Sequence, residues 1–375
     1  MSMRACTLRV HDYRSYPSYE LELDPGLTVL VGPNAAGKTN LVEALQLLTA
    51  GQSFRRPAPM ELVRSGAARA AMELSLAGDG RRMELGCVVE DARRSFVRNG
   101  KRTTAAGVRG VLPSVLFCPD HLDMIKRSAS VRRAALDDFG VQLNSRYAHL
   151  ASTYARTVEQ RNSLLREQPC DPGLLDAWTE SLVAGASALT SHRLALLARL
   201  RQRFDTVYRT IAPGEQAAIS YEFSCGGDDA AGASAAPARA QLADRLRAAL
   251  AERREEELRR GCTLVGPHRD ELRFTIDGRD ARAFGSQGQQ RSLVLAWKIA
   301  EVQVTCDILG YAPLLLLDDV MSELDAARRE AILRFIEGSI QTVITTTNLG
   351  YFSPAVLSDA KVVAIDGSHA LVPSA

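Results

Sequence analysis

Residues 29–40 read VLVGPNAAGKTN, and the stretch from Gly32 to Thr39 fits G-x-x-x-x-G-K-[ST], the phosphate-cradling P-loop. The flanks agree with that reading. Residues 27–31 form a short apolar run of the kind that makes a buried strand, and apolar residues recur at helical spacing over residues 38–48. A strand that feeds a glycine loop and then a helix start offers unpaired backbone N–H groups, with the positive end of the helix dipole, to one phosphate chain. Gly32, Pro33, Asn34, Ala35, Ala36 and Gly37, followed by Lys38, Thr39 and Asn40, are therefore the expected nucleotide cradle. Lys38 would reach the β- and γ-phosphates, and the Thr39 hydroxyl would ligate Mg²⁺. An ordinary glycine turn needs neither flank, so the expectation is a nucleotide-binding protein.

Composition bounds the rest. A chain of 375 residues, 46% of them hydrophobic, is long enough for one large domain or two with a sizeable core. A net charge of +2 neither requires nor forbids nucleic acid, because a basic face can sit inside a neutral total. The cysteines (Cys6, Cys87, Cys118, Cys170, Cys225, Cys262, Cys306) are scattered, odd in number and never spaced C-x-x-C. That argues against a disulfide framework or a zinc site and for a reducing cytoplasm. Residues 1–10 carry Arg4 and Arg9 without an apolar core, so no signal peptide is expected. No uninterrupted apolar run approaches the roughly 18–20 residues of a membrane span.

Along the chain, residues 7–14 and 19–23 are predicted strands leading into the P-loop strand. Residues 71–77 and 82–89 alternate around Gly78-Asp79-Gly80, and residues 95–98 run into Asn99-Gly100, a hairpin turn. Residues 115–117 read as a buried strand. From Ser128 the texture changes. Leu136, Leu143 and Leu150 recur every seventh residue, with Tyr147, Tyr154 and Val158 filling the stripe, which predicts one long helix. Asp171 with Pro172 predicts the start of a second, carrying Leu175, Leu182, Leu189 and Leu196. Two such helices read as an antiparallel pair whose leucines are core. Residues 217–223 are a candidate strand, residues 224–240 a low-complexity mobile loop or insertion, and residues 241–260 a helix with a solvated charge run from Glu252. The last third alternates strand and helix. The expected architecture is α/β, with residues 1–127 and 262–375 forming one nucleotide-binding head that carries a small attached antiparallel β-subdomain, and residues 128–261 an inserted helical lobe.

The head carries a second set of chemical residues. Residues 314–317 are LLLL followed by Asp318-Asp319, an apolar strand delivering a carboxylate at its end, as the Walker B element does. Asp318 would hold Mg²⁺, and Asp319 could orient or deprotonate the attacking water. Ser286-Gln287-Gly288-Gln289 precedes an apolar helix, and by itself it is a helix cap. It lies before the Walker B strand, which is followed by Ser322-Glu323-Leu324-Asp325.

The order P-loop, S-x-G-Q, apolar strand with Asp, then S-x-L-D resembles the ABC-type ATPases, including the SMC-like DNA-repair members. The segments DYRSYPSYELELDPGLTVLVGPNAAGKTNLVEAL, GQSFRRP, LFCPDHLDMIKRSASVRRAALD, GPHRDEL, GSQGQQRSL and LLLLDDVMSELD, in that order, resemble more specifically the RecF family of recombination mediators. The resemblance implies an ABC-type ATPase head with a short helical lobe in place of a long coiled coil. It implies that Ser286, Gly288 and Gln289, with the D-loop residue Asp325, complete the ATP site of a second subunit, and that Arg14 matches an arginine that touches nucleotide in SMC-like heads. The implied cofactors are ATP and Mg²⁺. The implied partners are double-stranded DNA at single-strand gaps and junctions, a second copy of the chain in an ATP-dependent dimer, and RecR, RecO and RecA, with no membrane. Glu271 replaces an aspartate usual in the family. Asp319 stands where transporters carry glutamate, which predicts slow hydrolysis. No switch histidine is present, Thr346, Thr347 and Asn348 occupying its neighbourhood.

Arg93, Arg94, Arg98, Lys101 and Arg102 crowd one predicted hairpin, and Arg55-Arg56, Lys126-Arg127 and Arg132-Arg133 add basic pairs. Such clusters contact phosphates without reading sequence, but each alone is equally a solvated face. The expectation of DNA binding therefore rests on the resemblance. The rival readings are a transporter's ATPase subunit, a long-armed SMC protein and a metabolic kinase. The helical insertion is short for SMC arms, and no phosphate-acceptor pocket is legible for a kinase.

Overall fold

Alternation at the start of the chain, with Leu8 and Val10 facing inward and Arg9 and His11 outward, builds β1 (Arg4–Tyr13), which pairs antiparallel with β2 (Tyr16–Glu22). The computed structural model describes residues 3–229, 237–336 and 340–366. The P-loop strand is β3 (Leu27–Val31), followed by α1 (Lys38–Ala50). A meander of β4 (Arg69–Gly78), β5 (Arg81–Glu90), β6 (Arg93–Arg98) and β7 (Lys101–Thr103) comes next. Its turns hold Asp79-Gly80 and Asn99-Gly100 at positive φ, as tight hairpins require. These strands and the first two form a six-stranded antiparallel sheet in the order β2-β1-β4-β5-β6-β7. The short helix α2 (Ala105–Val108), the buried strand β8 (Ser114–Phe117) and α3 (Pro119–Leu122) complete this part of the chain.

The helical region differs from the sequence expectation at Asn144. The predicted long helix is two, α4 (Ala129–Leu143) and α5 (Ser145–Leu165). Asn144 is extended, and its side-chain oxygen accepts the N–H groups of Arg146 (2.8 Å) and Tyr147 (3.4 Å). An N-cap of that kind begins a new helix and overrides the seven-residue stripe. Asp171 caps α6 (Pro172–Ile211) as expected, accepting from Gly173 and Leu174. Leu175, Leu182, Leu189 and Leu196 are all buried. There follow β9 (Ala217–Glu222), β10 (Asp228–Asp229), α7 (Arg239–Glu252) and α8 (Arg254–Arg260), with residues 230–236 of the low-complexity segment outside the described residues. The charge run over α8 is not wholly solvated. Glu257 is fully buried and meets the equally buried Arg161 at 2.7 Å, and Thr263 and the Leu264 N–H complete the hydrogen bonding.

The chain continues through β11 (Glu271–Ile276), β12 (Arg279–Asp280), α9 (Ala281–Phe284) and α10 (Gln287–Leu309). It ends with β13 (Leu314–Asp318), α11 (Ala326–Ile336), β14 (Thr342–Thr346), α12 (Pro354–Ser358) and β15 (Ala360–Ala364). Strands β15-β3-β14-β13-β8, in that order, make an all-parallel sheet. Burial on both faces accounts for the unbroken apolar runs of β8 and β13. Helix α1 packs against strands of this sheet and of the antiparallel one, so most of its residues are buried and it shows little amphipathic contrast.

The residues gather into two compact units, Met1–His121 with Glu301–Ala375, and Leu122–Ala300. The second is larger than the lobe expected at residues 128–261, because β11 pairs with β9 and so ties residues 271–276 to the helical region. The loop from Ser286 falls in this second unit.

Candidate nucleotide site

Three parallel strands end side by side in the first unit. Val31 of β3 lies opposite Thr346 of β14, and Thr345 lies opposite Asp318 of β13. The P-loop, the 346–348 segment and the Asp318-Asp319 pair therefore leave one carboxyl edge of one sheet, the crevice in which open α/β sheets bind ligands.

In the P-loop, Ala35 (φ 63°) and Gly37 (φ 106°) are both left-handed, which turns successive N–H groups toward one concavity. At Gly37 a side chain would be strained by the backbone and would also meet the Tyr16 hydroxyl at 2.6 Å. Helix α1 begins with no side-chain cap and no acidic residue in its first turn. Its leading N–H groups are left for an anion. Pro33, Asn34 and Ala35 form the exposed rim, and Ala36 is buried beneath. Lys38 is folded onto the loop, its ammonium donating to the carbonyls of Gly32 and Pro33, both at 2.8 Å. Burial pushes its pKa down, and the charges of Asp319 and Asp318 oppose that shift.

Asp318 is 4% exposed. The Thr345 hydroxyl donates to its Oδ1 at 2.8 Å and accepts the Asp319 N–H at 2.9 Å, so one threonine fixes both acids. Burial pushes the Asp318 carboxyl up from the usual range; hydrogen bonds from Thr345 and Thr39 and the charge of Arg55 oppose this, while Asp319 adds to it. The contact between Thr39 and Asp318 brings together the two oxygens expected to hold Mg²⁺. They are hard donors, which suit that ion. Asp319 is half-buried at φ 51°, a conformation an aspartate tolerates, and Ser322 donates to its carbonyl at 2.9 Å. Beyond β14, Thr346 and Asn348 close on each other at 3.1 Å. Asp325 is exposed and caps α11, accepting the Arg328 N–H at 2.9 Å and pairing with the Arg328 guanidinium.

Glu43, one turn beyond Thr39, is a hub that sequence reasoning missed. It is fully buried in α1 and accepts from Arg14 through both oxygens (2.8 and 3.0 Å), from Ser53 (2.5 Å) and from Tyr13 (3.2 Å). Arg14, expected against nucleotide, has its remaining nitrogen on the Glu61 carbonyl at 2.8 Å. Arg55, expected at DNA, donates to Asn40 at 3.0 Å and lies 3.5 Å from Glu43, which makes it a neighbour of the cradle. Arg56 is exposed beside it. A glutamate four residues past the P-loop threonine, set between Leu41-Val42 and Ala44-Leu45, was the available signal for Glu43.

The basic hairpin divides. Arg94 and Arg98 share a face of β6 with the buried Phe96, where the half-buried Arg94 donates to the Pro57 carbonyl and the exposed Arg98 to that of Gly107 (3.5 Å). Lys101 stands opposite Arg98. Arg93 and Arg102 are exposed on the open face, among acids that include Glu73 and Glu90. The pair Arg132-Arg133 is structural. Arg132 is 4% exposed, grips both oxygens of Glu271 at 2.8 Å and donates to three carbonyls, and Arg133 donates to the Asp270 carbonyl.

In the second unit, Ser286 opens α10 with a reciprocal cap. The Gln289 N–H donates to Ser286 Oγ (3.2 Å), and the Ser286 N–H donates to Gln289 Oε1 (2.9 Å). Ser286 and Gln287 are exposed, Gly288 and Gln289 half-buried, and the Gln289 amide also reaches Glu215 at 3.0 Å. Among the described residues no helix is long and apolar enough to cross a membrane.

The chain matches the RecF/RecN/SMC N-terminal domain model over residues 6–366. It is 37% identical to the DNA replication and repair protein RecF of Gloeobacter violaceus, over 96% of each chain. It is 35% identical to that of Streptomyces avermitilis, over 98% of this chain and 99% of the other. Its fold is similar to that of the recombination mediator protein RecF-ATP of the RecFOR pathway, with TM-score 0.86, 29% identity and 94% of each chain covered. The Smc head domain of Pyrococcus furiosus shares the fold alone (TM-score 0.57, 16% identity). With the P-loop, the Walker B pair and the S-x-G-Q helix start arranged as above, the chain belongs to the RecF family of DNA replication and repair proteins, with the mixed α/β head of the SMC-like ATPases.

Proposed function

We propose that this chain is an ATP-driven clamp for recombinational repair. The observation that carries the reading is the convergence of Lys38, Thr39, Asp318 and Asp319 on one sheet edge, before a helix whose first turn lacks a cap. The P-loop N–H groups and Lys38 hold the triphosphate, Lys38 exchanging its carbonyl partners for phosphate oxygens. A Mg²⁺ ion held by Thr39 and Asp318 would neutralise charge on the β- and γ-phosphate oxygens. Asp319 orients the attacking water; its side chain is one methylene shorter than glutamate, and hydrolysis is slow.

Each chain carries half of the working site. The exposed Ser286 helix start is a second anion site, which meets the γ-phosphate held by another copy, and the reciprocal contact makes a two-fold dimer with two nucleotides at its interface. Because the dimer binds ATP on two surfaces and the monomer on one, ATP drives association. The closed dimer holds double-stranded DNA beside single-strand gaps, hydrolysis releases it, and RecO and RecR join it in loading RecA. Support for the partners comes from family membership, and the chain works in the cytoplasm.

Sedimentation with and without ATP tests the composite site. The wild-type chain is expected to shift from monomer to dimer with ATP, and Lys38→Ala and Ser286→Arg both to abolish the shift, the latter while still binding ATP. A Ser286→Arg chain that dimerised normally would overturn the reading.

A further inference from the structure

Phe284 is 72% exposed, the most exposed large apolar side chain among the described residues. Single exposed apolar residues are common, so exposure alone says little. Phe284 differs in how it is held. Helix α9 is capped by Asp280, whose Oδ1 accepts from the N–H groups of Arg282 (2.7 Å) and Ala283 (3.3 Å). It closes on Gly285, where a Cβ would meet the Ala281 carbonyl oxygen at 2.5 Å. The buried Gln290 amide then donates to the carbonyls of Ala281 (2.8 Å) and Gly285 (3.1 Å). The ring is thus held in water by a turn already ordered, so that little conformational freedom remains to be lost when something covers it.

Its surroundings indicate what covers it. Arg282 is exposed beside it, Ser286 follows two residues later, and the 23-residue helix α10 starts there with its positive dipole end outward. An exposed apolar ring between an arginine and a positive helix start complements a surface that carries a polyanion with an apolar rim. This chain presents such a surface at its P-loop, where Pro33 and Ala35 stand exposed around the triphosphate cradle.

We propose that Phe284 anchors the nucleotide-bearing face of a second copy of this chain, seating Ser286 on the partner's triphosphate. This deepens the composite-site reading and rests on it. The test replaces Phe284→p-benzoylphenylalanine and irradiates the full chain. A covalent homodimer is expected with ATP, and none without ATP or in combination with Lys38→Ala. Phe284→Ala is expected to weaken the ATP-dependent dimer by about 100-fold or more, since a two-fold interface loses the contact twice. Nucleotide binding by the dilute Phe284→Ala monomer checks that it is folded. If the wild-type chain dimerises with ATP while Phe284→Ala matches its affinity and the photoprobe yields no cross-link, the anchor is refuted and the composite site stands. If the wild-type chain stays monomeric at saturating ATP, the composite site fails and the anchor with it.

Discussion

At His268 the ring stands between a tyrosine and a carbonyl. Nδ1 accepts the Tyr154 hydroxyl at 2.7 Å, and Nε2–H donates to the Thr263 carbonyl at 3.2 Å, which fits the neutral ring. Burial pushes its pKa from 6.5 to about 4, with Arg269, Arg133 and Arg193 adding to the shift. The depressed pKa means that the unfolded chain binds the proton more tightly. The stabilisation is therefore complete above the unfolded pKa and is lost as pH falls from 6.5 toward about 4. Between about pH 7 and about pH 5 the loss is about 2 kcal/mol, and in denaturant titrations His268→Gln is expected to flatten that slope. A variant with the wild-type pH slope would contradict the assignment. At this scale the sequence reveals residues whose chemistry is local. The placement of the P-loop and of Asp318 was legible because spacing along one strand and one helix sets it. Glu43 with Arg14 and Arg55 was not, since an arginine's partner depends on which segments the fold brings together, and arginines with different partners look alike in a sequence.

Elements were legible where one period dominated. The antiparallel meander and the parallel strands announced themselves through alternation and through apolar runs. The long helix that became α4 and α5 did not, because a single asparagine cap outweighs a continuing stripe of leucines. The charge run over α8 hid a buried carboxylate, since Glu257 is recognised as such only once Arg161 is placed beside it. The basic hairpin splits in the same way, by which face of β6 each side chain takes. Arg94→Ala is expected to lower thermal stability, by removing the tie to the Pro57 carbonyl, with little effect on the salt dependence of DNA binding. Arg93→Ala with Arg102→Ala is expected to reduce the slope of log affinity against log salt by about 0.9 per residue, with stability unchanged. The opposite pattern in the two variants would show that the face shared with Phe96, not the open one, meets DNA.

For the whole molecule, the strand order β15-β3-β14-β13-β8 brings residues nearly three hundred positions apart to one edge, and only motif order hinted at this. The extent of the second unit was illegible because the pairing of β9 with β11 links segments on either side of α7 and α8. On the proposed function, one chain holds half of an active site. Mixing Lys38→Ala chains with Ser286→Arg chains tests it most directly, because their heterodimer contains one site with both the intact P-loop and the intact serine loop. ATP hydrolysis is expected to be absent from either variant alone and to appear on mixing, in proportion to the heterodimer formed. A Ser286→Arg chain that hydrolysed ATP at the wild-type rate alone, or a mixture no more active than its separate components, would contradict the account.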